Sequence, residues 1–383
     1  MLVMVFLLNL GRTVFAPFVE EFQTVFGVGP AALGVVTSLV WFGAAAGRIP
    51  VAYGLTKIAR DRMLGVMGAI GVFGAVLTAT AMTIGQLQLG ALAIGLGTGG
   101  YFVIAVPLLG VIFPDAVGRA IGIHGMAAQL AAVFVGPIAI VAIAADSWRL
   151  VFWALACTLA VATAVSVILL RRVANTGPLT THREFTAVLD HWRPVTIALV
   201  ITATAGILWI GYFNFFVSYL LTAKEIGITR GGWLLTVMFA AGVPAFYIAG
   251  RVVDRLPALP FIYVMLGIFA VGIVLMTTAQ KLPMILVVTV VIGFSIHTLF
   301  PAIDTWLIRQ LDPTVRESAY ASFTSASLLI ESSGPTIVGL LLTYGIGYDA
   351  IFRFGAVLVL FMLLVMAGLT ASMGGGQRSA KRA

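Results

Sequence analysis

Gly250-Arg251-Val252-Val253-Asp254-Arg255 forms a charged loop between two long apolar stretches. A degenerate echo, Ala52-Tyr53-Gly54-Leu55-Thr56-Lys57, stands 198 residues earlier. Gly136-Pro137 and Gly334-Pro335 repeat at the same offset of 198, and Arg119 and Arg316 at 197. Each match holds the same place in the order of apolar runs. The chain therefore reads as a duplication, with matching hinges in two sets of membrane helices.

Composition fixes the solvent. Charged residues are 9% and hydrophobic residues 61% of the chain, whereas soluble domains carry about 25% charge. No soluble core hides that much apolar surface, so the solvent is lipid. At ~20 residues per spanning helix, the chain allows about twelve spans. Apolar runs bounded by charge or Pro/Gly clusters predict them at 2–21, 31–53, 63–83, 86–112, 119–144, 149–170, 194–221, 231–250, 259–278, 283–306, 318–344 and 350–371. The expected fold is all-α and polytopic: a six-helix bundle over 1–170, a cytoplasmic linker over 171–193, a second bundle over 194–373 and a cytoplasmic tail over 374–383.

With the N-terminus inside, 15 Lys and Arg fall in inner loops and tail and 5 in outer loops. That bias sets both termini in the cytoplasm, with the protein integral to the cell membrane. It also accounts for the net charge of +8 without nucleic acid. The single cysteine, Cys157, excludes an internal disulfide and a multi-cysteine metal site. The apolar N-terminus has no early basic residue and is interrupted by Asn9 and Arg12. It is expected to be a retained first helix and not a cleaved leader.

These residues resemble the major facilitator superfamily across essentially the whole chain. Its loop signature between the second and third helices runs G-x-x-x-D-R/K-x-G-x-R/K-R/K. Gly250, Asp254 and Arg255 match it in the second half, and Lys57, Arg60 and Arg62 in the first. Ala52 and Thr56 replace the Gly and Asp there, which puts the first-half latch in doubt. Trp148-Arg149-Leu150-Val151-Phe152 and Gly118-Arg119-Ala120 are also similar to family pieces. The resemblance implies two six-helix bundles rocking about a central site. It implies gating by Lys57, Gly250, Asp254, Arg255 and the nearby Arg48, and it names no substrate.

Charge inside a membrane is costly and marks function. Ionisable residues fall within predicted spans at Arg12, Glu20, Arg48, His124, His297, Asp304 and Glu331. Runs 3, 6, 9 and 12 carry none in their interiors, and the resemblance implies that these four face lipid, away from the central cavity. Arg12 is expected to contact an anionic substrate group, with a structural pair to Glu331 as the competing reading. Arg48 either serves the same anion or snorkels to the inner surface. Its Arg48-Ile49-Pro50 context is similar to nitrate transporters, but the eighth run lacks a second arginine. Glu331 and His297 are the candidate proton carriers. His297, Trp41, Gln129, Trp209, Tyr212 and Asn214 lie near mid-depth and are candidate substrate contacts.

Gly95-Leu96-Gly97-Thr98-Gly99-Gly100 superficially resembles a nucleotide loop. It lies inside an apolar run, and Ala91, Gly95 and Gly99 read as a helix-packing seam. Gly136-Pro137 reads as a hinge or kink. With no nucleophile constellation, metal cluster or P-loop in the sequence, the expected protein is not an enzyme and needs no cofactor. It is expected to be a monomeric secondary transporter of a small organic anion, coupled to protons or to a counter-substrate. Export of amphipathic or cationic compounds is the alternative, with Glu331 as their counter-charge.

Overall fold

The computed structural model describes residues 1–113, 115, 117–173, 191–312 and 316–380. Among these residues there is no strand. Twelve helical spans are long and apolar enough to cross a membrane. They are span 1 (Leu2–Phe26), 2 (Pro30–Gly54), 3 (Arg60–Ala79), 4 (Ile84–Ile112), 5 (Arg119–Ala144), 6 (Trp148–Arg172), 7 (Trp192–Asn214), 8 (Ile228–Val253), 9 (Ala258–Thr278), 10 (Leu282–Gln310), 11 (Ala319–Thr343) and 12 (Tyr348–Gly368). An even number of spans puts both chain ends on one face, called here the terminal face.

Four spans are broken, and proline sets each break. A proline has no N–H to give the carbonyl four residues back, and its ring clashes there. The helices end at Thr13, Ala46, Ala240 and Glu331. Each lies four residues before a proline: Pro17, Pro50, Pro244 and Pro335. A fifth interruption, at Phe215, extends span 7 as the helix Phe216–Lys224. Helix continues through Pro107, Pro137 and Pro301 in spans 4, 5 and 10. The hinge or kink expected at Gly136-Pro137 therefore lies within a continuous helix.

Small residues let the spans approach closely, as lipid-immersed bundles require. Within the first six, a Cβ on Gly43 would lie 2.9 Å from Leu96 N, and one on Gly95 3.1 Å from Ala44 N. The glycine-rich run of span 4 is thus a seam against span 2. Two further seams cross between the bundles, away from the terminal face. Spans 2 and 11 meet where Gly34 faces the Pro335 carbonyl and Gly339 faces the Pro30 carbonyl. Thr336 N and Oγ1 both donate to Ser38 Oγ, at 3.0 and 2.8 Å, and Ala31 N donates to Thr343 Oγ1 at 3.2 Å. Spans 5 and 8 meet where Gly136 abuts Gly232. These seams shut the face opposite the termini.

Two boundaries differ from the sequence reading. Gly250 to Arg255 is no loop but the last turns of the helix Gly242–Arg255. That helix stops because Pro257 pushes Leu256 into extended backbone, at φ −114° and ψ 156°. The last helix runs on to Ala380, through most of the expected tail. Residues 174–190 of the expected linker, and 381–383, lie outside the described residues.

Candidate functional site

A cavity of about 660 Å3 lies between the two bundles. Its lining residues all sit in the halves of their spans nearest the terminal face. Arg48, Thr202, Asp304, Tyr320, Ser327 and Glu331 supply its polar surface. The contacts between spans 2 and 11 and between spans 5 and 8 lie on the opposite side from it.

Glu331 closes the inner end. It is the last residue of its helix because Pro335 follows, and it is only 7% exposed. The Ser327 hydroxyl, one turn back, donates to its carboxylate. A Cβ on Gly206 of span 7 would collide with its Cγ and Cδ. The missing side chain at Gly206 is therefore what gives the carboxyl group its place. Near the mouth, Asp304 of span 10 faces the Tyr320 hydroxyl of span 11, within electrostatic reach of Arg48.

Arg12 stands beyond the cavity's inner end, half-way along span 1. Its Nη2 donates to Asn9 Oδ1 at 2.6 Å, and Asn9 in turn donates to the Ala128 carbonyl of span 5. The guanidinium lies 4.2 Å from the centroid of the Trp41 ring. Its Nε is buried without a hydrogen-bond partner, as is the Nε of Arg48. Arg12 interacts electrostatically with Arg48 and Glu331. No ion pair joins it to Glu331 among the described residues. Arginine forks can bind carboxylate or phosphate groups through two parallel hydrogen bonds.

Aromatic rings close the space on the far side of Arg12. Trp41 meets Phe213 of span 7 at 5.7 Å, Phe213 meets Phe239 at 5.5 Å, and Trp209 meets both Phe213 and Phe239. His297 packs edge-on against Trp209 at 5.3 Å, with Nδ1 2.6 Å from the Gly293 carbonyl. Gln129 donates to the Phe239 carbonyl at 3.0 Å, beside the break in span 8. A Cβ on Gly242 would lie 2.6 Å from both the Gln129 amide and the His297 ring. Trp41, Gln129, Trp209 and His297 are thus brought to one level around the interface. Tyr212 and Asn214 are not. Tyr212 is fully buried against Phe216, Tyr219 and Phe352, and Asn214 donates to Ile210 of its own helix.

At the terminal face, Lys57 lies over the Tyr53 ring at 4.8 Å, and Arg255 is exposed. The side chain of Asp254 lies outside the described residues. A contact missed in the sequence joins spans 3 and 6 there: Arg171 Nε donates to buried Asp61 Oδ2 at 2.8 Å. Tyr320, near the end of its span, and Thr202, a mid-span hydroxyl bonded to the Ala198 carbonyl of its own helix, were also missed, since neither kind of residue carries a local signal.

Comparison with known proteins agrees with this architecture. No curated protein matches the chain. Among solved structures, a bacterial homologue of the human lysosomal transporter Spinster, inward-facing and unoccupied, superposes with a TM-score of 0.75 at 17% identity, over 96% of this chain and 94% of that one. A point mutant of the nucleoside transporter NupG gives 0.75 at 12% identity over 96% and 100%. A D-xylose–proton symporter gives 0.74 at 14% over 94% and 95%. At these identities the likeness is one of fold. The family model described as Major Facilitator Superfamily matches residues 1–229 and 198–381. The two matches overlap over residues 198–229 and together span nearly the whole chain. A transporter and not an enzyme, the protein belongs to the major facilitator superfamily.

Proposed function

We propose that this protein carries a small organic anion by alternating access, driven by protons or by exchange. The observation that carries the reading is Arg12: a permanent charge at mid-depth, stacked on Trp41, with a buried Nε that has no hydrogen-bond partner and, among the described residues, no ion pair. An intramembrane charge left in that condition is costly unless a ligand completes it. The bundles of residues 1–170 and 194–373 would rock about the cavity. With both termini in the cytoplasm, as the Lys/Arg bias requires, the conformation described here is inward-open. It carries outer seams along spans 2–11 and 5–8.

Between the two proton candidates the geometry favours Glu331. It lines the cavity, whereas the Nδ1 of His297 is engaged by Gly293 and its ring is packed among aromatics. The presence of Glu331 and Asp304 in the same cavity also keeps a second reading open, in which an amphipathic cation is exported against them. Both readings are tested in proteoliposomes containing a pH-sensitive dye. Addition of the transported anion should move protons in wild type. Glu331→Gln should abolish that movement while retaining anion counterflow. Unchanged proton movement in Glu331→Gln removes Glu331 as the carrier, and proton movement evoked only by lipophilic cations favours export.

A further inference from the structure

Charge within the interface is divided by half. Both cations, Arg12 and Arg48, come from spans 1 and 2. Both acids, Asp304 and Glu331, come from spans 10 and 11. Arg48, Asp304 and Glu331 line one cavity, and Arg12 is coupled electrostatically to Arg48 and Glu331. Opposite charges inside a membrane ordinarily pair with one another. Here no ion pair joins any of the four among the described residues. The Nε atoms of both arginines are buried without a partner. Glu331 is held back on its own wall by Ser327 and by its fit against Gly206. Across the cavity Arg48 therefore faces Glu331 and Asp304, with Arg12 beyond the inner end, and low-dielectric surroundings screen these charges weakly.

Such a cavity discriminates by charge pattern. A ligand with only a carboxylate gains at the arginines and is repelled by Glu331 and Asp304. A ligand with only an ammonium meets the reverse. A ligand with both, aligned across the cavity, gains at the arginines and at the acids. We propose that the solute is a small zwitterion whose anionic group lies at Arg12 and Arg48 and whose cationic group lies at Glu331 and Asp304. This rests on the anion reading above and adds the second charge. Phe102, Phe300 and Phe323 on the cavity wall suit the carbon chain between the two groups. A volume of about 660 Å3 falls in the range of small-molecule sites.

The test is binding of matched triplets to the purified full-length protein, followed by thermal stabilisation across a concentration series. Each triplet is an ω-amino acid, the carboxylate lacking its amine and the amine lacking its carboxylate: 4-aminobutyrate, butyrate and n-butylammonium, then the six-carbon set. The zwitterion of at least one set should bind roughly tenfold or more tighter than both of its truncated partners. Glu331→Gln should remove that advantage by weakening the zwitterion, while the carboxylate, freed of one repulsion, binds at least as tightly as to wild type. Equal affinity for the carboxylate and the zwitterion in wild type overturns the inference and leaves the anion reading standing. Binding of amines alone overturns both. No stabilisation by any member overturns the zwitterion. The wild-type comparison stands even if the variant fails to fold.

Discussion

Replacing Gly34 by valine should open the sealed face. A Cβ at Gly34 would lie 3.0 Å from the Pro335 carbonyl carbon and 3.1 Å from Thr336 Cα. Carbon contacts are ordinarily about 3.5–4.0 Å. The obstacle is backbone and cannot rotate away, so spans 2 and 11 must part by roughly half an ångström or more for the Cβ alone. Overpacking of this kind costs about 1–3 kcal/mol. The state open on that face relieves the clash, so its population relative to the sealed state should rise about 5- to 150-fold. The assay needs a reporter inside the seam. Ser38, 8% exposed and bonded to Thr336 of span 11, serves as Ser38→Cys. The background is Cys157→Ser, which removes the native thiol. Labelling by a membrane-impermeant maleimide should accelerate by that factor in Gly34→Val. Gly85→Ala, where an added Cβ meets nothing within 4 Å, should not accelerate it. An unchanged rate in folded Gly34→Val protein would refute the seam as the barrier.

Other perturbations test other parts of the account. Gly206→Ala should push the Glu331 carboxylate from its seat and weaken proton coupling as Glu331→Gln does, with the fold retained. Wild-type coupling in Gly206→Ala would remove that glycine's role. Trp41→Ala deletes the ring under the Arg12 guanidinium. Anion binding should weaken by about 0.5–2 kcal/mol, measured as a rise in Kd, and an unchanged Kd would separate Trp41 from the site. Lys224 is fully buried, donates to the Thr277 carbonyl at 2.9 Å and pairs with Asp349 at 3.3 Å. Lys224→Met should lower Tm by the equivalent of about 1–3 kcal/mol, less than the 3–5 of a fully buried pair, because Asp349 is 38% exposed and keeps Tyr219 as a donor. An unchanged Tm would show the pair to be energetically neutral.

Span number was legible because each apolar run must cross lipid. The breaks were legible in principle, because four of them lie four residues before a proline. Nothing local separates Pro17, Pro50, Pro244 and Pro335 from Pro107, Pro137 and Pro301, where helix continues; neighbouring spans decide that. Arg12, Arg48 and Glu331 stood out as charges in apolar runs. The fit of Glu331 against Gly206, 125 positions away in sequence, left no trace in either run. Asp304 and Tyr320 meet from different spans, so no spacing in the chain joins them. Tyr212 looked like a ligand at mid-depth, but helix rotation turns it onto span 12, and rotation is fixed by packing that a uniformly apolar sequence hides.

The central claim is that Arg12 receives an anion at the centre of an alternating-access transporter. It is tested most directly by thermal stability of purified wild type and Arg12→Gln against small carboxylates, phosphate and lipophilic cations. A ligand of the native state raises Tm by mass action. The account predicts that one class of anion-bearing solute stabilises wild type and leaves Arg12→Gln unmoved. Stabilisation by cations alone, equal in the two proteins, would contradict it.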